Sequence, residues 1–188
     1  MRIAYITGRY PAVSHTFIAR EVRAVRALGV EIHTFTVWPT DEALLLSETD
    51  REERDATHAL LPLRAGRVAR AHLAALRRDP RRYAATARRA LEIRRSGLRG
   101  LAMAALWFVE AALLWDECRR RGIRHIHAHI NGTAPVLALL AAELGEWRWS
   151  MTVHGPSEFF DALEERLAEK VRAASFVVCI SDFARSQL

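Results

Sequence analysis

The sequence has few of the features that mark secreted, zinc-stabilised or membrane-embedded proteins. Its two cysteines, Cys118 and Cys179, form neither a CxxC pair nor a regularly spaced framework, so zinc knuckles and disulfide scaffolds are excluded. No apolar segment of signal-peptide length follows Met1. These absences predict a chain that stays in a reducing, cytoplasmic compartment.

Long hydrophobic runs are absent as well. The most apolar stretch, residues 101–115, is interrupted by Glu110 and is shorter than the roughly 20 residues needed to cross a bilayer. We therefore predict a buried core helix there. Apolar residues make up 51% of the chain and charged residues 27%, as in folded globular proteins. The length of 188 residues predicts one domain, residues 1–188.

Positive charge is concentrated in one segment. Residues 64–99 hold 12 arginines against only Asp79 and Glu92, a net charge of +10 compared with +6 for the whole chain. The segment has a helical pattern that Pro80 and Gly97 interrupt. This pattern predicts basic helices inserted at about residues 63–100.

Three interpretations of this basic segment remain open: a solvated helix face, a nucleic-acid patch, or a surface that approaches anionic lipid. The segment has few aromatic residues for base stacking, so no nucleic-acid partner is expected. Arginines beside apolar helix faces suit the inner face of the cell membrane, where the protein would be peripheral. The arginines predicted to form this membrane or acceptor surface are Arg77, Arg78, Arg81, Arg82, Arg88 and Arg89.

The beginning of the chain alternates between strand and helix patterns. Residues 2–7 form an apolar, strand-like run. Residues 15–28 repeat apolar positions at helical spacing, with Ser14 or Thr16 available as N-cap, and residues 30–37 alternate as a second strand. A strand, a helix and a strand joined this closely open a parallel α/β sheet. We therefore predict an α/β fold with a Rossmann-like parallel sheet flanked by helices.

The same alternation continues to the end of the chain. Residues 38–55, which contain a dense acidic cluster, are predicted to form a loop with one solvated helical turn. Three more strands are predicted at residues 124–129, 149–153 and 175–180, and two more helices at residues 134–144 and 159–173.

Polar residues follow the predicted strands at their carboxyl ends, where open parallel sheets bind ligands. The loop after the first strand leads into a helix N-terminus, where free amides favour an anion, although glycine and serine there also suit turn geometry. Ser181 is equally suited to capping the next helix. The candidate substrate-binding residues are Gly8, Ser14, His15, Thr16, His129, Asn131, Gly155 and Ser181, and His154 joins them at the end of its strand.

Alternate histidines on one strand suggest a metal site at first sight. His127 and His129 lie two residues apart on one strand face, and His125 precedes them. No nearby cysteine or carboxylate pattern completes a zinc site, so we predict no metal. A satisfied polar pair in the core is the alternative interpretation, and His129, nearest the carboxyl end, is the better functional candidate.

Four motifs in order resemble the acceptor-side domain of the family 4, GT-B-fold glycosyltransferases, most closely the exopolysaccharide and colanic-acid biosynthesis type. Correspondence is missing between about residues 41 and 100. The motifs are YP at 10–11 with SHTFI at 14–18 and RE at 20–21, HIHAHI at 125–130 with NG at 131–132, MTVHG at 151–155, and FVVCISDFAR at 176–185.

The resemblance implies a retaining transferase that uses a nucleotide-diphosphate sugar as co-substrate, with no other cofactor and no obligatory metal. Its acceptor would be a glycan or a polyprenyl-diphosphate-linked sugar in cell-surface polysaccharide synthesis. His154 would face the transferred sugar as the catalytic residue. The first loop would lie near the donor diphosphate, and His129 and Ser181 would line the same cleft.

The family's second domain, which binds the donor, has no counterpart in these 188 residues. We therefore expect the chain to be the N-terminal half of a GT-B enzyme and to be inactive alone. The alternative is a non-catalytic module that binds an acceptor or a membrane.

Overall fold

Six parallel strands form one sheet in the described part of the chain. The computed structural model describes residues 1–155, 157–160, 162–163 and 166–188. The order across the sheet is β3-β2-β1-β4-β5-β6, and every neighbouring pair is parallel. The predicted Rossmann-like parallel sheet is therefore confirmed. The strands are β1 (Arg2–Arg9), β2 (Glu31–Trp38), β3 (His58–Ala59), β4 (His125–His129), β5 (Arg148–Val153) and β6 (Val177–Cys179).

Helices connect the strands and flank the sheet. They are α1 (Thr16–Ala27), α2 (Glu48–Ala56), α3 (Ala65–Arg78), α4 (Pro80–Glu92), α5 (Gly97–Arg120), α6 (Thr133–Gly145), α7 (Ser157–Phe160), α8 (Leu167–Ala173) and α9 (Asp182–Ser186). The boundary predicted at Pro80 is observed. The Asp79 side chain accepts a hydrogen bond of 2.9 Å from the Arg82 amide, which caps α4 with proline at its first position.

Alternation along the strands divides the core between the two faces of the sheet. One face buries Ala4 and Ile6 of β1 in the main cluster, which α5 and α6 also enter. The opposite face buries Ile3 and Tyr5, which pack with residues of α1. Successive side chains of a strand point to opposite faces, so a single strand supplies both layers.

Two predictions about the connections are wrong. The acidic segment holds more helix than the one solvated turn predicted, because residues 48–56 form α2, which begins with a reciprocal capping box between Ser47 and Asp50. The helix predicted at residues 159–173 is interrupted, since Arg166 has a left-handed φ of 52° immediately before α8. The two-residue strand β3 was not predicted, because so short a strand carries no periodic signal.

The apolar helix α5 is longer than its sequence pattern indicates. It has 24 residues, and by its length and apolar composition alone it could span a membrane. Its residues 110–118 are nevertheless all buried, and α5 packs against α3, α4 and α6. This half is a core helix, as predicted. The first half differs, because Leu98 and Leu101 are exposed.

Glu110 is a buried carboxyl group in the middle of α5. Only 1% of the residue is exposed, and among the described residues neither of its oxygens has a hydrogen-bond partner. Burial raises the pKa of Glu110 from 4.5 to about 7. Because the unfolded chain releases this proton at lower pH than the folded chain, Glu110 reduces stability as pH rises from 4.5 to about 7.

We predict that Glu110→Met stabilises the chain more at pH 8 than at pH 5. The wild-type protein loses on the order of 3 kcal/mol over this range through Glu110, and the variant does not. Urea unfolding at the two pH values measures the difference, to which all other titrating groups contribute equally in both proteins. Glu52→Met, at an exposed glutamate of α2, is the matched control. An equal difference between Glu110→Met and wild type at both pH values contradicts the prediction.

Candidate functional site

The sheet reverses its order between β1 and β4. The chain continues from β1 to β2 on one side, whereas β4 lies on the other side of β1. Open α/β sheets bind ligands in the crevice that this reversal creates, outside the carboxyl ends of the strands. β1 pairs with β4 up to Ile6 and Ala128, so His129, the last residue of β4, lies at the crevice edge.

The structure brings two candidate site residues together at this edge. His129 pairs in register with Thr152 of β5, and His154 follows the last residue of that strand. The Nδ1 atom of His129 lies 3.0 Å from Nε2 of His154. His129 is fully buried. His154 is half-buried, and its ring lies 4.6 Å from the Phe17 ring of α1. The ends of β4 and β5 therefore meet the start of α1.

His127 lies one step deeper on the same strand face and is a satisfied core residue. Its Nδ1 contacts the Ser150 hydroxyl at 2.7 Å and its Nε2 contacts the Thr152 hydroxyl at 2.9 Å. His125 contacts the same Ser150 hydroxyl at 2.8 Å. Burial, with a smaller effect of nearby histidines, lowers the pKa of His127 to about 4. Hydroxyls of β5 therefore satisfy His127, and His129 is the strand residue that remains available.

Glu21 of α1 approaches His129 from the opposite side to His154. Its Oε1 atom lies 3.6 Å from Nε2 of His129, which has no hydrogen-bond partner among the described residues. The Tyr5 hydroxyl donates to the same carboxylate at 2.9 Å. Burial raises the pKa of Glu21, and the hydrogen bond from Tyr5 opposes that effect. A buried imidazole thus lies between a carboxyl group and a second imidazole.

This arrangement favours one tautomer for each histidine. Burial first, and then neighbouring histidines, lowers the pKa of His129 to about 2. Burial and then His15 lower the pKa of His154 to about 4. Both rings are therefore neutral near pH 7. A proton on Nε2 of His129 faces the Glu21 carboxylate, so its Nδ1 accepts from Nε2 of His154. The Nδ1 of His154 is then an acceptor for a ligand.

Glu21, His127 and His129 are the described residues that come closest to a metal-ligand set. Their ligand atoms lie within 4.8 Å of one another, and the carboxylate comes from α1, away from the histidine motif. Both nitrogens of His127 already contact hydroxyls. A cation would have to displace one of those contacts, and the prediction of no metal stays a prediction.

Glu158 of α7 links the two loops of the crevice. One carboxylate oxygen accepts the His154 backbone amide at 2.7 Å, and the other accepts the Asn131 amide at 2.9 Å. Glu158 is 8% exposed. Burial raises its pKa, although the two amides and Lys170 oppose that effect. One carboxylate therefore holds the chain just beyond β4 to the chain just beyond β5.

Lys170 of α8 supports the same corner. Its ammonium group is buried, with the residue only 3% exposed. It donates to the side-chain oxygen of Asn131 at 2.7 Å and approaches the Gly132 carbonyl oxygen at 3.3 Å. Asn131, a predicted binding residue, thus uses its backbone amide and side-chain oxygen within the protein. Its contribution to binding a substrate stays a prediction.

The first loop provides an uncapped helix N-terminus. His15 occupies the N-cap position of α1 without a side-chain cap, and its Nδ1 lies 3.2 Å from the Arg9 carbonyl oxygen. The expectation that Ser14 or Thr16 caps the helix is wrong, because a 3₁₀ turn ending at His15 displaces both. Ser14 and Thr16 are exposed and Gly8 is partly exposed. The N-cap residue of α1 therefore provides no side-chain acceptor for the first amides of the helix.

The remaining predicted site residues have different surroundings. The Ser181 side chain accepts the Ala184 amide at 3.1 Å and caps α9, which is the alternative that its sequence position suggested. Gly155 is partly exposed next to His154. Binding of a substrate by Ser181 and Gly155 stays a prediction.

The predicted arginine surface divides into paired and unpaired members. Arg82 pairs with Glu146 at 2.6 Å, Arg88 pairs with Glu92 at 2.8 Å, and Arg89 pairs with Glu143 at 3.6 Å. Arg77, Arg78 and Arg81 are exposed and have no ion pair in the described part of the chain. Part of the positive charge therefore joins α4 to its neighbours, and part remains available.

Comparison with models of protein families and with curated proteins finds no match to this chain. The resemblance of the four motifs therefore stays a prediction. The residues that sequence reasoning missed are Glu21, Glu158 and Lys170. Glu21 belongs to the quoted motif at 20–21 and Glu158 lies four residues after His154, but neither spacing indicates the contacts that these side chains make.

We predict that Glu158→Gln loosens both crevice loops. A glutamine oxygen can accept one amide, but its NH₂ group faces the other amide as a second donor. Hydrogen exchange at the Asn131 and His154 amides should accelerate roughly 10-fold or more, as expected for the loss of a charge-assisted hydrogen bond. The exposed Glu92→Gln change is the control. Unchanged exchange at both amides in Glu158→Gln contradicts the role of this carboxylate.

Proposed function

We propose that this chain is the acceptor-side, N-terminal domain of a retaining glycosyltransferase. It would move a sugar from a nucleotide-diphosphate sugar to a glycan or polyprenyl-linked acceptor in cell-surface polysaccharide synthesis. The observation that carries the proposal is the 3.0 Å contact between His129 and His154. The pair lies at the switch point of the sheet, where the strand order reverses between β1 and β4. The motif resemblance supports it independently.

His154 is the group that would touch the transferred sugar. Its pKa of about 4 makes the ring neutral near pH 7, and its Nδ1 is then an acceptor for a sugar hydroxyl. Its ring is held by His129 on one side and by Phe17 on the other. A preorganised acceptor of this kind favours one orientation of the sugar without requiring a charged base.

The start of α1 is suited to the leaving diphosphate. Negative charge builds on that group as the glycosidic bond to the donor breaks, and helix N-termini stabilise such charge. The N-terminus of α1 has no side-chain cap, and Phe17 in its first turn contacts His154. The sugar and the diphosphate would therefore meet neighbouring parts of one crevice. A second, donor-binding domain would supply the remaining contacts.

We predict that His154→Ala lowers kcat/KM roughly 10- to 100-fold, because a hydrogen bond to the sugar is lost. The assay measures transfer from a panel of nucleotide-diphosphate sugars to lipid-linked acceptors, with the chain alone and joined to a GT-B donor-side domain. The chain alone is expected to be inactive. His33→Ala is the matched control, since His33 of β2 contacts Glu31. Wild-type turnover in His154→Ala would refute the assignment.

A membrane-binding role is favoured by the exposed face of α3 and α4. Leu73, Leu76 and Leu91 are each more than 40% exposed, and the same two helices carry the exposed arginines. An interfacial helix combines apolar side chains that enter the lipid boundary with basic side chains that contact anionic head groups. The same face would bring the proposed transferase to a lipid-linked acceptor.

We predict that the chain binds vesicles containing phosphatidylglycerol and that the triple change R77Q/R78Q/R81Q, at the three arginines of the predicted surface without an ion pair among the described residues, abolishes binding. Each basic residue contributes about 1 kcal/mol near an anionic surface, so the loss should be more than 100-fold. Cosedimentation at low and high salt measures it, and salt should weaken wild-type binding. The control R124Q/R148Q/R172Q removes equal charge from exposed arginines elsewhere. An equal loss of vesicle binding in the two triple variants would contradict a specific membrane-binding role for the exposed face of α3 and α4.

A further inference from the structure

A line of hydrogen-bonding side chains leads from β1 and α1 to the crevice. The Tyr5 hydroxyl lies 2.9 Å from Oε1 of Glu21. The same carboxylate oxygen lies 3.6 Å from Nε2 of His129, and Nδ1 of His129 lies 3.0 Å from Nε2 of His154. The proton position on each ring therefore constrains the next, and His154 is the last member of the line at the crevice.

Glu21 gives this line its direction. An ionised carboxylate only accepts hydrogen bonds, whereas a neutral imidazole has one donor and one acceptor. The separation of 3.6 Å from Nε2 of His129 is longer than a normal hydrogen bond, so the carboxylate acts on this atom mainly through its charge. A proton on Nε2 is attracted to that charge, and a lone pair there is repelled by it. Nε2 has no hydrogen-bond partner among the described residues that would compete with this preference.

Water reaches part of Glu21 but not His129. The side chain of Glu21 is 37% exposed and that of His129 is 0% exposed, and the His129 ring is covered by the rings of Tyr5 and His127. Electrostatic preferences are stronger where water is excluded. Burial, followed by neighbouring histidines, lowers the pKa of His129 to about 2. The carboxylate therefore orients the proton of a neutral ring and does not add a second one.

The preference at His129 determines the proton position on His154. With its proton on Nε2, His129 has a lone pair at Nδ1, and His154 donates to it from its own Nε2. Nδ1 of His154 then carries a lone pair. The reverse order would place a lone pair of His129 against the Glu21 carboxylate and a proton on Nδ1 of His154. A carboxylate two rings away thus decides whether His154 offers an acceptor or a donor.

His15 provides a second imidazole whose proton position is set independently. Its Nδ1 lies 3.2 Å from the Arg9 carbonyl oxygen, which only accepts hydrogen bonds. Nδ1 therefore carries a proton, and Nε2 of the neutral ring is an acceptor. After burial, His15 is the cause that lowers the pKa of His154, so the two rings influence each other. Both rings then offer acceptors to a shared partner.

We propose that Glu21 is a positioning residue that holds the proton of His129 on Nε2 and thereby makes Nδ1 of His154 a hydrogen-bond acceptor. Glu21 acts through His129 and not by contact with a ligand. The ligand group that meets His154 is one that donates a hydrogen bond, such as a hydroxyl or an amide N–H. An ionised carboxylate or phosphate oxygen, which only accepts, is disfavoured there. Only the effect of Glu21 on sugar transfer rests on the proposed function.

Two-bond proton–nitrogen NMR spectra of the full 188-residue chain test the proposal, because they show which ring nitrogen carries the proton. They are recorded near pH 7 without any ligand. In the wild-type protein, His129 and His154 should both carry the proton on Nε2. Glu21→Met removes the charge and keeps an unbranched side chain of similar length. This variant should lose the single tautomer, and both forms of each ring should appear.

Matched variants separate the charge from its surroundings. Tyr5→Phe keeps the carboxylate and the ring that packs on His127 and His129, and it removes only a hydroxyl. Glu52→Met removes an exposed carboxylate of α2. Neither variant should change the tautomers. His15 is an internal reference in every spectrum, because the Arg9 carbonyl and not Glu21 determines its proton position.

Transfer kinetics provide a second measurement with the chain joined to a donor-side domain. Glu21→Met should lower kcat/KM roughly 10-fold, the effect of one hydrogen bond. Because Glu21 acts through the second ring, Glu21→Met should have no further effect in the His154→Ala background. Glu52→Met should leave kcat/KM unchanged.

Three results would overturn the proposal. A proton on Nδ1 of His154 in the wild-type protein reverses the assigned direction, and this spectrum decides even if Glu21→Met does not fold. Unchanged tautomers in Glu21→Met remove the role of the carboxylate. A change in Tyr5→Phe as large as in Glu21→Met shows that packing and not charge sets the tautomer.

The proposed function fails separately from the role of Glu21. The expected tautomers without any sugar transfer refute the transferase alone. Transfer that depends on His154 and is unaffected by Glu21→Met, with unchanged tautomers in that variant, refutes the positioning role alone.

Discussion

The crevice depends on one carboxylate that binds two backbone amides. Glu158 accepts the amides of Asn131 and His154 and so joins the loops that leave β4 and β5. Parallel strands are joined by hydrogen bonds only along their length, and beyond their ends the chains diverge unless another group connects them. This contact sets where His154 lies relative to His129, and therefore the geometry of the imidazole pair at the switch point.

The surroundings of the three β4 histidines change along the strand, from the core to the crevice. His125 and His127 contact the hydroxyls of β5, and these contacts satisfy the polar atoms that burial would otherwise leave unpaired. His129 lies beyond the last of these hydroxyl contacts, so its Nδ1 faces His154 and its Nε2 lies nearest Glu21. His129 therefore has surroundings that differ from those of the two histidines before it.

The arginines of residues 64–99 serve two purposes. Arg82 and Arg89 form ion pairs with glutamates of α6 and its C-cap, which join the basic helices to the rest of the domain. Arg77, Arg81 and Arg99 remain exposed and point the remaining charge outward. Exposed ion pairs contribute little stability individually, and the unpaired arginines contribute an electrostatic field that attracts anionic partners.

The sequence by itself determined the parallel α/β class, the boundary at Pro80 and the polar residues after β1, β4 and β5. Periodicity, capping and turn chemistry are each encoded within a few neighbouring residues. The break before α8 shows the limit, since the left-handed residue Arg166 interrupts a continuous helical pattern. Only the tertiary structure decided that Glu21 and Glu158 belong to the crevice. Their contacts join residues that are distant along the chain or face each other through backbone amides, and no local spacing specifies such contacts.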